Sequence, residues 1–152
     1  MKFGMLCGLS GLVLSSAAHA EAAATCQPPP AFKAWNAPAA SALVPGRSKE
    51  IALALTTKFR RTPGKLPVAG TYGGIVPMVV PKPGAYLIAL DVPAWIDVVH
   101  GGTLVPSIDH SRAEACSGIH KIVRFPLMAG PYVIQISGSP SPKARIMIVP
   151  AD

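Results

Sequence analysis

Residues 122–137 read I-V-R-F-P-L-M-A-G-P-Y-V-I-Q-I-S. Val123, Phe125 and Leu127 alternate with Arg124 and Pro126. Beyond Met128-Ala129-Gly130-Pro131, the residues Tyr132, Ile134 and Ile136 alternate with Val133, Gln135 and Ser137. Successive side chains of a strand point to opposite faces, so each run carries one continuous apolar face with the period of a strand, not of a helix. Two such runs around a short Gly-Pro break predict a β-hairpin with one dry face. That face has to be covered by further strands.

The remaining chain offers them. Residues 50–57 alternate Ile51, Leu53 and Leu55 with alanine and threonine. Residues 75–80 are apolar but contain Pro77, which cannot donate to a ladder and so predicts an edge or bulged strand. After the P-K-P-G turn at 81–84, residues 85–91 direct Tyr86, Ile88 and Leu90 inward. Residues 94–100 contain W-I-D-V-V-H, turn at Gly101-Gly102 and continue as a strand over 103–108. A loop is expected over 109–118, and residues 144–149 close the series, giving eight strands with the hairpin. The 17 prolines and 14 glycines among 152 residues favour short strands and turns over helices. A chain of this length accommodates one domain and one core. Strands at this spacing imply an all-β sandwich or barrel.

The front of the chain has a different grammar. Residues 1–20 run from Met1-Lys2 through an apolar stretch to Ala18-His19-Ala20, the order of a secretory signal with cleavage after Ala20. The apolar stretch is too short for a bilayer span, so no transmembrane segment is expected once the signal is removed. Cys7 leaves with it. Residues 21–46 form a proline- and alanine-rich arm in which Pro28-Pro29-Pro30 is expected to be extended and Phe32 and Trp35 to pack on the domain. Pro45-Gly46 marks the start of the sandwich domain, 47–152. The two cysteines left, Cys26 and Cys116, form a disulfide in an oxidising compartment, periplasmic or extracellular. The alternative makes Cys116 a nucleophile beside His120, and it needs a free thiolate that such a compartment disfavours.

Removing residues 1–20 takes away Lys2 and leaves 13 Lys+Arg against 7 Asp+Glu, a net charge of about +6. Lys58, Arg60, Arg61 and Lys65 cluster around Pro63-Gly64. They read either as a solvated hairpin loop or as a contact for an anionic envelope polymer, lipid or another envelope protein. Nucleic acid is a poor partner, because no series of aromatic residues interleaves with the basic ones.

From Gly84 onward the pattern G-x-Y-x-I-x-L, W-I-D-V-V, F-x-L-x-x-G-x-Y-x-I-x-I and A-R-I-M-I-V resembles bacterial pre-peptidase C-terminal and related jelly-roll accessory domains. That resemblance covers under half of the chain and implies a jelly-roll-like antiparallel sandwich. The acidic calcium loops of those domains are missing, so no calcium site carries over. A closer resemblance, over most of the chain after residue 20, is to small exported bacterial proteins. They share W-I-D-V-V, C-S-G-I-x-K and F-x-L-x-x-G-x-Y, here at Trp95, Cys116 and Phe125 onward. Such proteins are sometimes named homogentisate 1,2-dioxygenase. That name implies non-haem iron held by two histidines and a carboxylate. His100, His110 and His120 with Glu114 are the available ligands, and Asp109 adjoins His110. The family of true enzymes is much longer than this chain.

Other chemistry has less to stand on. No G-x-S-x-G elbow occurs, and Ser117 between Cys116 and Gly118 suits a pinned turn. Paired carboxylates would have to come from Asp91, Asp97, Asp109 and Glu114. Asp97, in mid-strand, is either a solvated charge or a buried one paired with Lys121 or Arg124. Trp95, Tyr86 and Tyr132 could form an aromatic ledge for a ligand, or could fill the core. The reading adopted is an exported, non-catalytic binding or envelope-accessory module without a cofactor. An iron-dependent dioxygenase and a structural or interaction protein of the envelope compete with it.

Overall fold

A computed structural model of the chain describes residues 26–55 and 57–152. The predicted signal and Cys7 lie outside these residues. Nine strands are present: β1 (Ser48–Ala52), β2 (Tyr72–Val80), β3 (Gly84–Leu90), β4 (Trp95–His100), β5 (Thr103–Val105), β6 (Asp109–Ser111), β7 (Lys121–Leu127), β8 (Gly130–Ser139) and β9 (Lys143–Pro150). Two short 3-10 turns, Pro30–Phe32 and Ala115–Ser117, complete the regular structure. Among the described residues no helix is long and apolar enough to cross a membrane.

The strands form two antiparallel sheets, one in the order β1-β9-β3-β7-β6 and one in the order β2-β8-β4-β5. Neighbours in the chain mostly fall in opposite sheets, and the interleaving of the two orders is that of a jelly roll. The alternating residues meet between the sheets. Ile88, Ile134, Ile136, Ile146 and Ile148 are fully excluded from solvent, with Tyr86, Val123, Phe125, Leu127 and Tyr132 packed around them.

The expected hairpin over 122–137 is not formed. β7 pairs with β3 and β6, whereas β8 pairs with β2 and β4. Residues 128–131 carry the chain from one sheet to the other, so the two dry faces look at each other across the core. Alternation identified the inward side chains and was silent on the partner strand. A two-residue hairpin does occur at Gly101-Gly102, where φ is +55° and +76° and His100 pairs with Thr103. Both central residues of a type I′ turn need positive φ, and glycine takes it without strain.

Other boundaries move. β1 ends at Ala52, leaving Leu55 on the surface, β2 begins earlier at Tyr72, β5 stops at Val105 short of the expected 108, and the expected loop over 109–118 contains the short edge strand β6. Pro77 sits in β2 at the edge of its sheet, as its missing donor requires.

The arm is part of the fold. Ile122, Ala89 and Met147 lie side by side on β7, β3 and β9, on the face turned away from the main core. Phe32 and Trp35 cover them, only 1% and 2% exposed, together with Ile119 and Val149. Leu43 of the arm enters the main core. The central strands β9, β3 and β7 of the five-stranded sheet are thus buried on both faces, while β6 at its edge is exposed. Arg145 fastens the arm by donating to the Trp35 carbonyl oxygen at 3.0 Å while its other nitrogen reaches Glu50 at 2.9 Å. The Cys26–Cys116 disulfide, with Cα atoms 5.6 Å apart, ties the start of the arm to the Ala115–Ser117 turn.

Candidate functional site

The free outer face of the four-stranded sheet carries two polar interruptions. Asp97 on β4 and Gln135 on β8 are register partners, 8% and 1% exposed, in strands otherwise rich in valine and isoleucine. A buried polar side chain is costly unless it is hydrogen-bonded. Both are bonded to the same segment. The Gln135 amide accepts from the Arg61 backbone N–H at 2.9 Å and donates to the Arg61 carbonyl oxygen at 3.1 Å. The Asp97 carboxylate accepts from the Gly64 N–H and from the Trp95 indole N–H, each at 3.0 Å.

The segment from 57 to 68 is therefore a flap clamped across the sheet, not a solvated hairpin loop. Its basic residues Lys58, Arg60, Arg61 and Lys65 remain exposed, but the backbone that carries them is fixed. Gly64 is required by close approach, since a Cβ there would lie 3.0 Å from the Asp97 carboxylate and 3.1 Å from the Trp95 indole nitrogen. Further back, Thr57 donates to the Gly73 carbonyl oxygen at 2.7 Å, and the Phe59 ring lies over Gly73. Asp97 is thus neither a solvated charge nor paired with Lys121 or Arg124. Replacing Gln135 with leucine is expected to cost about 1–3 kcal/mol, the penalty for orphaning buried donors and acceptors. The same change should speed tryptic cleavage after Arg61 and Lys65. Unchanged cleavage would show that the clamp does not hold the flap.

Beside the clamp a groove of about 480 Å³ opens between the tail of the flap, the start of β4, and β6 and β7. Lys121 bridges the two sheets there. Its ammonium donates to the Ala94 carbonyl oxygen at 3.0 Å and lies 4.9 Å from the centre of the Trp95 ring, a cation–π contact. Burial lowers the Lys121 pKa below the ordinary lysine value of 10.5, and the charges of Lys65 and Arg112 lower it further against a smaller opposing effect of Asp97. His110 and His120 also line the groove, while Asp, Glu, Asn and Gln are all missing from its lining. His110 pairs with Val123 and so shares its face of the sheet. The hydroxyl of Ser137, 1% exposed and part of the lining, has no hydrogen-bond partner among the described residues.

The other candidates are scattered. His100 closes β4 at the end opposite Trp95, stacks on Tyr132 with ring centres 4.5 Å apart, and places Nδ1 2.8 Å from the Pro131 carbonyl oxygen. Glu114 lies on the turn before Cys116, and Asp109 accepts from the His110 N–H at 2.7 Å. Among the described residues no three of His, Cys, Asp and Glu come together as a metal site. The residues His100, His110, Glu114 and His120 therefore do not fit the iron of a dioxygenase. Asp91 accepts from the Arg145 N–H at 2.8 Å, and burial raises its carboxyl pKa. The three aromatics form no ledge, because Tyr86 and Tyr132 turn into the core and only Trp95 shows its ring, 38% exposed. The tyrosine hydroxyls are satisfied by Lys82 and Met128 backbone atoms. Cys116 is held in its disulfide, and the Ser117 hydroxyl accepts from the Ile119 N–H within the pinned turn.

Fold and site define a disulfide-stapled jelly-roll domain with a clamped basic flap and a cationic, aromatic-edged groove. No protein-family model, curated protein or solved structure matches the chain.

Proposed function

We propose that the protein is an exported, non-catalytic binding module of the bacterial envelope that takes an anionic ligand at the groove beside Trp95. One observation carries this reading: Lys65, Arg112, Lys121, His110 and His120 line a single groove that contains no carboxylate. Lys65, Arg112 and Lys121 gathered at one groove, with Asp97 the carboxylate that acts on Lys121, focus a positive potential that attracts anions. The disulfide and the signal-like residues 1–20 support the exported compartment. The resemblance to small exported bacterial proteins supports the same compartment. Among the described residues the dioxygenase alternative finds no cluster of three metal-ligating side chains.

Isothermal titration at low salt with inorganic phosphate, glucuronate, polygalacturonate and octanoate tests the reading. At least one anion should bind saturably, weaken as salt is added, and lose tenfold or more in affinity when Lys121→Met and Arg112→Ala are combined. That loss is the scale of one charge-assisted hydrogen bond. Binding by none of the four, or binding indifferent to these changes, would overturn it.

A further inference from the structure

We infer that the groove seats a small organic carboxylate carried on an apolar chain or ring, an inference that rests on reading the groove as an anion site. Two halves of the lining argue for two halves of the ligand. On the flap side Leu66 and Val68 are 73% and 74% exposed, and with the Trp95 ring and Pro93 they form an apolar wall. Large apolar side chains held this far out on a clamped backbone gain nothing from the fold itself. Beside this wall stand the ammonium of Lys121, 4.9 Å from the Trp95 ring centre, and the guanidinium of Arg112, which match a carboxylate.

The donor and acceptor balance separates this ligand from other anions. A sugar acid carries several hydroxyls that need acceptors, and beyond the hydroxyls of Thr71, Ser107 and Ser111 the side chains to supply them would be Asp, Glu, Asn and Gln. None of those last four types lines the groove. A carboxylate needs donors only. The Lys121 ammonium spends one of its three protons on Ala94 and keeps the others for a ligand. A volume of about 480 Å³ falls within the ~300–1,000 Å³ of small-molecule pockets.

The test is calorimetry on the protein with its disulfide intact, using octanoate, 4-phenylbutyrate, glucuronate and 1-octanol. The two apolar carboxylates should bind at least tenfold more tightly than glucuronate and than 1-octanol. Arg112→Ala, at an exposed position, should weaken octanoate severalfold and leave thermal stability unchanged. Leu66→Ser, at an exposed position, should weaken octanoate severalfold and leave the fold intact. Glucuronate bound as tightly as octanoate would overturn this inference while leaving the anion site standing. Octanol bound as tightly as octanoate would also overturn it, and silence from every anion would remove both.

Discussion

Replacing Cys26 and Cys116 with serine is expected to lower the free energy of unfolding by about 4.5 kcal/mol. The crosslink joins residues 90 apart in sequence. Chain-entropy arguments put a closed loop of this length near ~4.5 kcal/mol, because the unfolded chain is denied so many conformations. A second consequence is local. Without the bond, the residues before the Pro30–Phe32 turn have no covalent tie to the Ala115–Ser117 turn. Denaturant titration of the oxidised protein and of the double variant should show the midpoint falling, with a steeper slope as the unfolded chain expands. Equal midpoints would mean that the arm is held by packing alone.

Trp35→Ala is expected to cost about 3–5 kcal/mol, the range for emptying an aromatic site in a core. The reason lies in where the ring sits. Trp35 packs with Phe32, Ile119, Ile122 and Met147 over the outer face of the five-stranded sheet. Its indole nitrogen would lie 3.3 Å from a Cβ placed on Gly118, which has φ +78° and so favours glycine twice over. Removing the ring exposes Ala89 and Met147 and loosens the turn that carries Cys116. Thermal unfolding followed by far-ultraviolet dichroism would register the loss. A change below about 1 kcal/mol would show that the arm only lies on the sheet, since a truncated buried aromatic costs more.

The inward faces were legible from alternation alone. Tyr86, Ile88 and Leu90, then Val123, Phe125 and Leu127, then Tyr132, Ile134 and Ile136, all point where the period of two places them. Strand partners were not legible, because in a jelly roll consecutive strands lie in opposite sheets. The turn chemistry held the clue. Gly101-Gly102 is a glycine pair at positive φ, the two-residue hairpin signature, whereas the equally short Met128-Ala129 between β7 and β8 lacks it. Two-sided burial also left a mark in R-I-M-I-V, where alternation gives way to an unbroken apolar run.

For the site, the sequence showed Asp97 and Gln135 as polar residues inside apolar strands, and the basic cluster, 39 to 32 positions before Asp97, could not be linked to them from sequence. Their meeting depends on β4 and β8 pairing in register and on the flap crossing both. Lys65, His110, His120 and Trp95 were all picked out by residue type, but in three separate roles. Arg112, Lys121 as a groove residue, and Ser137 were missed. A lone arginine in a loop and a serine at a strand end carry no pattern of their own, and only the junction of four elements makes them one surface.

A nuclear magnetic resonance titration of the isotope-labelled protein with octanoate tests the anion groove most directly. The Trp95 indole N–H, the Ser137 amide and the Lys121 side chain should shift together along one saturable curve, while Lys58 and Arg60 stay in place. Shifts spread over the exposed flap cations, or rising in proportion to octanoate without saturation, would contradict the account.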